Sequence, residues 1–536
     1  MKISGKLILA LPALAFGAGL FAQDLKSGPY ELPYKNTYVK DIFVAENLFR
    51  SSRPETVQPK SFAEARKLLP SPVWAGHEKE IEMYWHAWKI AVGNIRQPQP
   101  ESGFTSPYLD VAYNGNIFMW DSSFMMLFAR YGYRFFPFQG TLDNFYAKQH
   151  PDGFICREIR ADGSDCFERY DPTSTGPNLL PWVELTYYRQ FGDIDRLHRV
   201  FPALCAYAHW WKLNRTWPDG TYWSSGWGTG MDNMPRVKDG YNPIYSHGHM
   251  VWLDTNLQQM LVDECLLQIG FYIERWQEIE DMEDEMKYLR SYMNENMWND
   301  ETGFLHDRYA DGSLCSTKGI GAYWALQTDV LDRERLDRLV AHLSDTLEFM
   351  RPHMVPSLSA DHPKYNPLGR YWQGGVWPGT NYMVIDGLWK KGYLDCARRI
   401  AENHYRAVFE VWKKTGTFWE YYAPEKIEPG FMARKDFVGW AGLPPIAVFI
   451  EYMLGIKSDW SEGKVEWDIH NLEEHGIANY PFGPDGVLGL TVRKRSSASQ
   501  KPVVAVETNV PFDLVVRWGD GQMKTVHVGK SGVVQL

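Results

Sequence analysis

From His77 to about residue 455 the apolar residues recur at three-to-four spacing, the period of a helix with one buried face. The stretch Asp193–Trp211 shows it in Leu197, Val200, Phe201, Leu204, Cys205 and Ala208, and Leu331–Leu343 repeats it. No other feature constrains the fold as strongly. The pattern predicts helices at 77–94, 120–132, 135–148, 178–191, 193–213, 249–271, 272–296, 317–327, 332–346, 375–391, 393–413 and 436–455. Each must bury its apolar stripe, and packing helix on helix is the direct way to do so. Between them recur turn-Gly-aromatic steps: Asp152-Gly153-Phe154, Asp219-Gly220-Thr221-Tyr222-Trp223, Thr302-Gly303-Phe304 and Thr415-Gly416-Thr417-Phe418-Trp419. Their irregular spacing fits helical hairpins that carry loop insertions at one end. Twelve helices in six hairpins predict a mainly α fold, an (α/α)6 toroid over residues 77–455 with a pocket at one mouth. A right-handed α-solenoid is the alternative, and it would not need such tryptophan-rich loops.

Beyond residue 456 the period changes to that of strands. Val487–Arg493, Val503–Thr508, Phe512–Trp518 and Thr525–Val528 alternate or run β-branched, with glycine-rich turns between them. They predict a small C-terminal β-sandwich over 456–536, structural rather than catalytic. Residues 23–76 read as an extended polar lead. Before them, Lys2 and Lys6 precede an apolar run from Leu7 to Ala22, a secretory-signal pattern with cleavage expected after Ala22. The run is too short to span a bilayer, and no other stretch is long and apolar enough. Export, to the periplasm in a Gram-negative source, is the expectation.

A net charge of -10 and a pI near 5.9 argue against a nucleic-acid partner, whose phosphates such a surface repels. The six cysteines contain no C-x-x-C pair, which excludes the usual zinc spacings. Cys205 and Cys265 fall in helical patterns as buried thiols, whereas Cys156 and Cys166 are left open as a possible bridge. No cofactor or metal is called for. The 23 tryptophans instead suit a carbohydrate partner, because indole faces stack on the C–H faces of sugar rings, although aromatic cores account for much of the total.

Four loops concentrate the chemistry. Ser224-Ser225-Gly226-Trp227-Gly228-Thr229-Gly230-Met231-Asp232-Asn233-Met234-Pro235-Arg236 has loop composition and sets one carboxylate among small residues. Asn116–Ser123 carries Trp120 and Asp121 where a helix begins, with Asp121 or Ser122 as a candidate N-cap. Tyr371-Trp372-Gln373-Gly374-Gly375-Val376-Trp377-Pro378 gathers two indoles and an amide beside glycines. Thr415–Pro424 sets Glu420 between aromatic rings, where desolvation raises a carboxyl pKa and suits it to proton transfer. Two carboxylates on aromatic loops match the requirement of glycoside hydrolysis. Asp121, Glu158 and Asp436 compete with Asp232 and Glu420 for those roles.

Taken with Asp152–Glu158 and Phe437-Val438-Gly439-Trp440, these motifs resemble, in order, those of the trehalase-like and mannosylglycerate-hydrolase-like glycosidases, the clan that joins glycoside hydrolase families 37 and 63. The resemblance covers about residues 77–455. It implies an (α/α)6 barrel and an inverting mechanism, with Asp232 as general acid and Glu420 as general base. It implies that Trp120, Asp121, Arg157, Trp372, Gln373 and Trp377 line the sugar pocket. Trp227, Asn233, Trp419 and Trp440 on the same loops are expected contacts too. Two departures bear on substrate: Gly228-Thr229-Gly230-Met231 stands between Trp227 and Asp232, and Gln373-Gly374-Gly375 replaces an arginine followed by Gly-Pro. The expected activity is hydrolysis of an α-glucoside or similar small α-glycoside. A polysaccharide lyase, a non-catalytic sugar-binding protein and a phosphorylase are the rivals.

Overall fold

The structure, a computed structural model, describes residues 25–27, 30–32, 38–55, 57 and 61–535. The expected signal segment 1–22 lies outside the described residues. Twelve helical segments of eight or more residues occupy the region where the period predicts helices. In chain order they are α1 (Glu78–Gly93), α2 (Met119–Ala129), α3 (Gly140–Ala147), α4 (Leu180–Phe191), α5 (Ile194–Asn214) and α6 (Leu253–Tyr272). They continue with α7 (Asp281–Asn296), α8 (Ile320–Gln327), α9 (Arg333–Ala341), α10 (Pro378–Lys390), α11 (Leu394–Thr415) and α12 (Leu443–Met453).

The even-numbered segments touch in a cycle: α2 to α4, α4 to α6, α6 to α8, α8 to α10, α10 to α12, and α12 back to α2. Of the odd-numbered ones, α1, α3, α5, α7 and α11 each pack against one or two of these. Burial follows the same division. In α6 the run Leu253–Asp263 is buried on every side, whereas α7 buries only Met282, Leu289 and Met293. Along that run α6 has no solvent-exposed face, whereas α7 carries an amphipathic stripe.

Several local expectations are corrected. The segment expected at 135–148 becomes helical only at Gly140, because Phe135, Phe136 and Phe138 turn inward as a buried aromatic knot. The segment expected at 272–296 breaks after Tyr272, and α7 restarts at Asp281. That expected at 332–346 ends at Ala341, followed by a 3-10 turn at His342–Ser344. α8 is a 3-10 helix, and α12 is a π-helix that closes with Leu454 N–H donating to Phe449 O (2.8 Å). Neither Asp121 nor Ser122 is an N-cap: Phe118 holds that position and Asp121 lies in the first turn. All six cysteines are free thiols, Cys156 and Cys166 included.

The strands of the two larger sheets are β1 (Ser71–Trp74), β2 (Ile456–Asp459), β3 (Lys464–Ile469), β4 (His475–Phe482), β5 (Gly486–Val492), β6 (Val503–Thr508), β7 (Phe512–Trp518), β8 (Gln522–Val528) and β9 (Gly532–Gln535). They form one sheet of order β2-β3-β7-β8, in which β3 and β7 are parallel, and another of order β9-β6-β5-β4-β1. β5 alternates buried and half-buried positions along its length, as a strand with one inward face must. Phe482 of one sheet meets Phe512 of the other, with ring centroids 5.9 Å apart. β1 comes from the segment before α1, and Trp74 pairs with His475, so the start of the helical region is stitched to the end of the chain. Among the described residues no helix is long and apolar enough to cross a membrane.

Candidate active site

The N-terminal ends of α2, α10 and α12 converge on a cavity of about 310 Å³, within the range of small-ligand pockets. Trp120 and Asp121 stand on the first turn of α2, Trp377 immediately precedes α10, and Trp440 lies just ahead of α12. Arg157 is brought alongside by a short ladder that pairs Ile117–Phe118 with Glu158–Ile159.

The loop that carries Asp232 is held from both sides. Trp227–Thr229 form one 3-10 turn, which Gly230 ends at φ 72°. A Cβ on Gly230 would come within 2.9 Å of the Trp120 ring, so glycine here serves both the left-handed backbone and the close approach of the indole. Beyond Asp232, Arg236 forks onto Asp254 at 2.9 and 3.0 Å, donates to Thr229 Oγ1 (2.9 Å) and lies 4.1 Å over the Trp252 ring. This buried pair locks the loop to the first turn of α6.

Asp232 accepts a hydrogen bond from the Tyr371 hydroxyl (3.1 Å). Its carboxyl is pushed up to about 6, chiefly because protein atoms desolvate it, while Arg157 and Tyr371 pull the other way. Tyr371 itself holds φ 59°, a left-handed conformation that is rare for a ring-bearing residue and marks a locally strained backbone.

Glu420 faces the same cavity and is pushed up to about 7, again mainly by desolvation, with the Asp232 charge adding to the rise. Arg434 opposes this: its backbone N–H donates to Glu420 Oε2 (3.3 Å), and its guanidinium lies 4.0 Å from the same oxygen. Trp440 Nε1 donates to Glu420 O (2.7 Å) and so fixes the backbone that presents the side chain. A pair of backbone bonds between Val376 and Tyr422, 2.9 and 3.0 Å, ties this loop to the Trp372–Trp377 loop. Asp121 is raised well above its ordinary value by desolvation, then by the Glu420 charge, with the Asp232 charge a smaller contribution. Three carboxyl groups thus share one low-dielectric space, in which the Glu420 and Asp232 charges raise Asp121 and the Asp232 charge raises Glu420.

The walls are aromatic. Trp372 and Trp377 stack at 4.2 Å with their planes 2° apart, Tyr421 stacks on Trp377 at 4.4 Å, and Trp440 meets Trp377 edge-on at 5.5 Å. Arg157 lies 4.3 Å over Phe167 and 5.0 Å over Trp227.

Of the expected site residues, Trp120, Asp121, Arg157, Trp227, Asp232, Trp372, Trp377, Glu420 and Trp440 come together around the cavity. Asn233, Gln373 and Trp419 do not line it. Asn233 Oδ1 accepts from the Trp372 backbone N–H (2.8 Å) and Gln373 Nε2 donates to Asn233 O (3.4 Å), so this pair latches the Asp232 loop to the Trp372 loop. Trp419 turns aside and donates to Thr415 Oγ1 (3.1 Å). Of the competing carboxylates, Glu158 lines the cavity and accepts from Asn116 Nδ2 (2.7 Å), whereas Asp436 accepts from Thr417 (2.6 Å) away from it. Tyr371, Arg434 and Tyr113 also line the cavity, although no motif singles them out as ligands. Tyr371 was visible inside its aromatic motif. Arg434, which lies 3.4 Å over the Tyr113 ring, sits in an ordinary charged loop and gave no signal. Among the described residues no cluster of His, Cys, Asp and Glu is arranged to hold a metal ion.

The chain matches the model of the mannosylglycerate hydrolase MGH1-like glycoside hydrolase domain over residues 115–433, more than half its length. It is 27% identical to a mannosylglycerate hydrolase of Rubrobacter radiotolerans over 30% of this chain and 35% of that one. It is 23% identical to a probable mannosyl-oligosaccharide glucosidase of Schizosaccharomyces pombe over 47% of this chain and 34% of that protein, so it spans about a third of each of these two relatives. Among solved structures, a family 63 mannosylglycerate hydrolase from Thermus thermophilus aligns with a TM-score of 0.54 at 20% identity, over 68% of this chain and 99% of that one. The neutral trehalase of Saccharomyces cerevisiae aligns with a TM-score of 0.52 at 14% identity, over 65% and 74% of the two chains. This chain belongs to the mannosylglycerate hydrolase MGH1-like family of glycoside hydrolases.

Proposed function

We propose that the protein is an inverting glycosidase that cleaves a small α-linked glycoside, an α-glucoside or a close relative, within an (α/α)6 toroid. The observation that carries this reading is the placement of Asp232 and Glu420 on one indole-walled cavity, close enough for the Asp232 charge to raise Glu420, with no hydrogen bond between them. Asp232 protonates the glycosidic oxygen. Glu420 takes a proton from water on the opposite face of the sugar, so no covalent intermediate forms. Trp120, Trp227, Trp372, Trp377 and Trp440 line the cavity and offer apolar surface to a pyranose ring. Arg157 and Asp121 offer hydrogen bonds to its hydroxyls.

Desolvation raises Asp232 to about 6 and Glu420 to about 7, which keeps a transferable proton in the pair near neutral pH, and a sugar oxygen hydrogen-bonded to Asp232 favours the proton there on binding.

The closed contact cycle of even-numbered helices supports the toroid, and the aromatic contact between the two sheets supports a C-terminal sandwich with a structural role. The Lys2–Ala22 pattern supports export as the third part of the proposal. Hydrolysis of α-linked disaccharides, with the anomer of the first product read by NMR, tests the mechanism. A β-configured first product from an α-linked substrate is expected, and retention overturns inversion.

A further inference from the structure

The Asp232 loop continues past Arg236 into a surface segment, residues 237–249, before α6 begins. This segment carries Tyr241, Tyr245, His247 and His249, and Tyr245 is 50% exposed. A lone exposed ring needs no explanation, but Tyr245 is not alone. Its ring meets that of Trp227 edge-on, with centroids 5.0 Å apart and planes at 84°. Trp227 in turn lines the catalytic cavity and meets Phe167 at 5.8 Å. A line of rings thus runs from inside the cavity, through Trp227, to solvent at Tyr245.

The segment is held in place by its own bonds. The Trp227 backbone N–H donates to Ile244 O (3.1 Å). Asn242 Oδ1 accepts from the N–H groups of Ile244 (2.8 Å) and Tyr245 (3.2 Å), and Ser246 N–H donates to Asn242 O (3.1 Å). Gly226 permits the close approach: a Cβ there would stand 2.3 Å from both Asp232 O and Pro243 O, so the Asp232 backbone and the tyrosine segment meet at this glycine. A ring fixed in advance loses little freedom when a ligand lies on it.

The side on which these rings stand decides what they meet. The Trp227 indole is close enough to Asp232 to stabilise its carboxylate, whereas Arg434 and Tyr113 wall the Glu420 side. With Asp232 as proton donor, the departing sugar lies on the Asp232 side, because the acid must reach the glycosidic oxygen. The first unit of the leaving group then meets Trp227. The 5.0 Å step to Tyr245 is close to the length of one pyranose unit, so a second unit reaches that ring.

We propose that Tyr245 is the outer platform of the leaving-group site, so that the preferred substrate carries at least two sugar units beyond the bond that is cut. This rests on the reading of Asp232 as general acid. Stacking on Tyr245 is remote from the reacting bond, and contacts of that kind raise kcat/KM by holding the reacting sugar in place.

The test compares α-linked disaccharides with their trisaccharides: maltose with maltotriose, isomaltose with isomaltotriose, and α-mannobiose with α-mannotriose. For a pair that is cut, kcat/KM should be higher for the trisaccharide by about fivefold or more, and a trisaccharide labelled at its reducing end should release a labelled disaccharide. Tyr245→Ala should bring the ratio to about 1, and Tyr245→Phe, which keeps the ring, should retain it. A general disturbance of the loop would instead lower both substrates in proportion. The proposal is overturned if the parent does not prefer the longer substrate, if the ratio survives in Tyr245→Ala, or if a labelled monosaccharide is released first. If none of the sugars is cut, the acid–base reading fails and tryptophan fluorescence decides on the platform. The parent should then bind a trisaccharide tighter than its disaccharide by about fivefold or more, and Tyr245→Ala should bind the two equally. Equal binding in the parent, or none, overturns the platform.

Discussion

At the residue scale, the proposed acid Asp232 and the proposed base Glu420 set the expected pH dependence of hydrolysis. Below about 6 both are protonated and the base is lost; above about 7 both are ionised and the acid is lost. A bell-shaped profile of kcat/KM with limbs near these values is expected, read as properties of the pair rather than of one residue. Asp232→Asn and Glu420→Gln should each lower kcat by about 10²–10⁴-fold while substrate binding, followed by tryptophan fluorescence, is kept. Loss of binding instead would make these residues part of the sugar contact only. Tyr371→Phe removes a hydrogen bond that stabilises the Asp232 carboxylate, so the profile should move to higher pH. An unmoved profile would leave Tyr371 with a packing role. Asp232 and Glu420 were legible in the sequence because each stands in a distinctive motif. The placement of Arg434 against Glu420 was not, since a solvated arginine and one aimed at a carboxylate have the same local composition.

At the scale of elements, the Asp232 loop depends on Gly230 and Arg236. Gly230→Ala adds a Cβ against Trp120 in a left-handed backbone, and a loss of about 1–3 kcal/mol in urea unfolding is expected, together with displacement of Asp232 and loss of activity. Arg236→Met leaves Asp254 buried without its partner, at a cost of about 3–5 kcal/mol. Helix positions were legible because burying a stripe requires a repeat in the chain itself. Their ends were less so. Gly140, where α3 begins, and the break between Tyr272 and Asp281 depend on which rings turn inward, and helical period does not encode that. Asn233 and Gln373 show the same limit: amides beside a pocket read as sugar ligands, but the fold uses them to join two loops.

At the scale of the whole molecule, the site places a strain on stability. Asp232 and Glu420 bind protons more readily folded than unfolded. Between their ordinary values of 3.8 and 4.5 and their folded values of about 6 and 7 the native state holds more protons, so their contribution to stability falls as pH rises. Asp232→Asn should therefore be more stable than the parent at about pH 8 by about 1–2 kcal/mol, and the gap should close near pH 4. A gap independent of pH would point to packing instead. The two sheets are part of the same unit. β1 pairs with β4, and Trp467 Nε1 donates to Leu454 O (2.9 Å) directly after α12. Truncation after Gly455 should give insoluble chain rather than a working helical domain, as judged by the soluble fraction and by activity.

The sequence by itself determined the helical period, the switch to strands after residue 456 and the motifs that carry Asp232 and Glu420, because periodicity and local composition are properties of neighbouring residues. Only the tertiary structure decided that carboxylates 188 positions apart share one cavity, and that desolvation there raises both of them. These outcomes depend on desolvation and charge across long-range contacts, and such contacts exist only once the chain has folded.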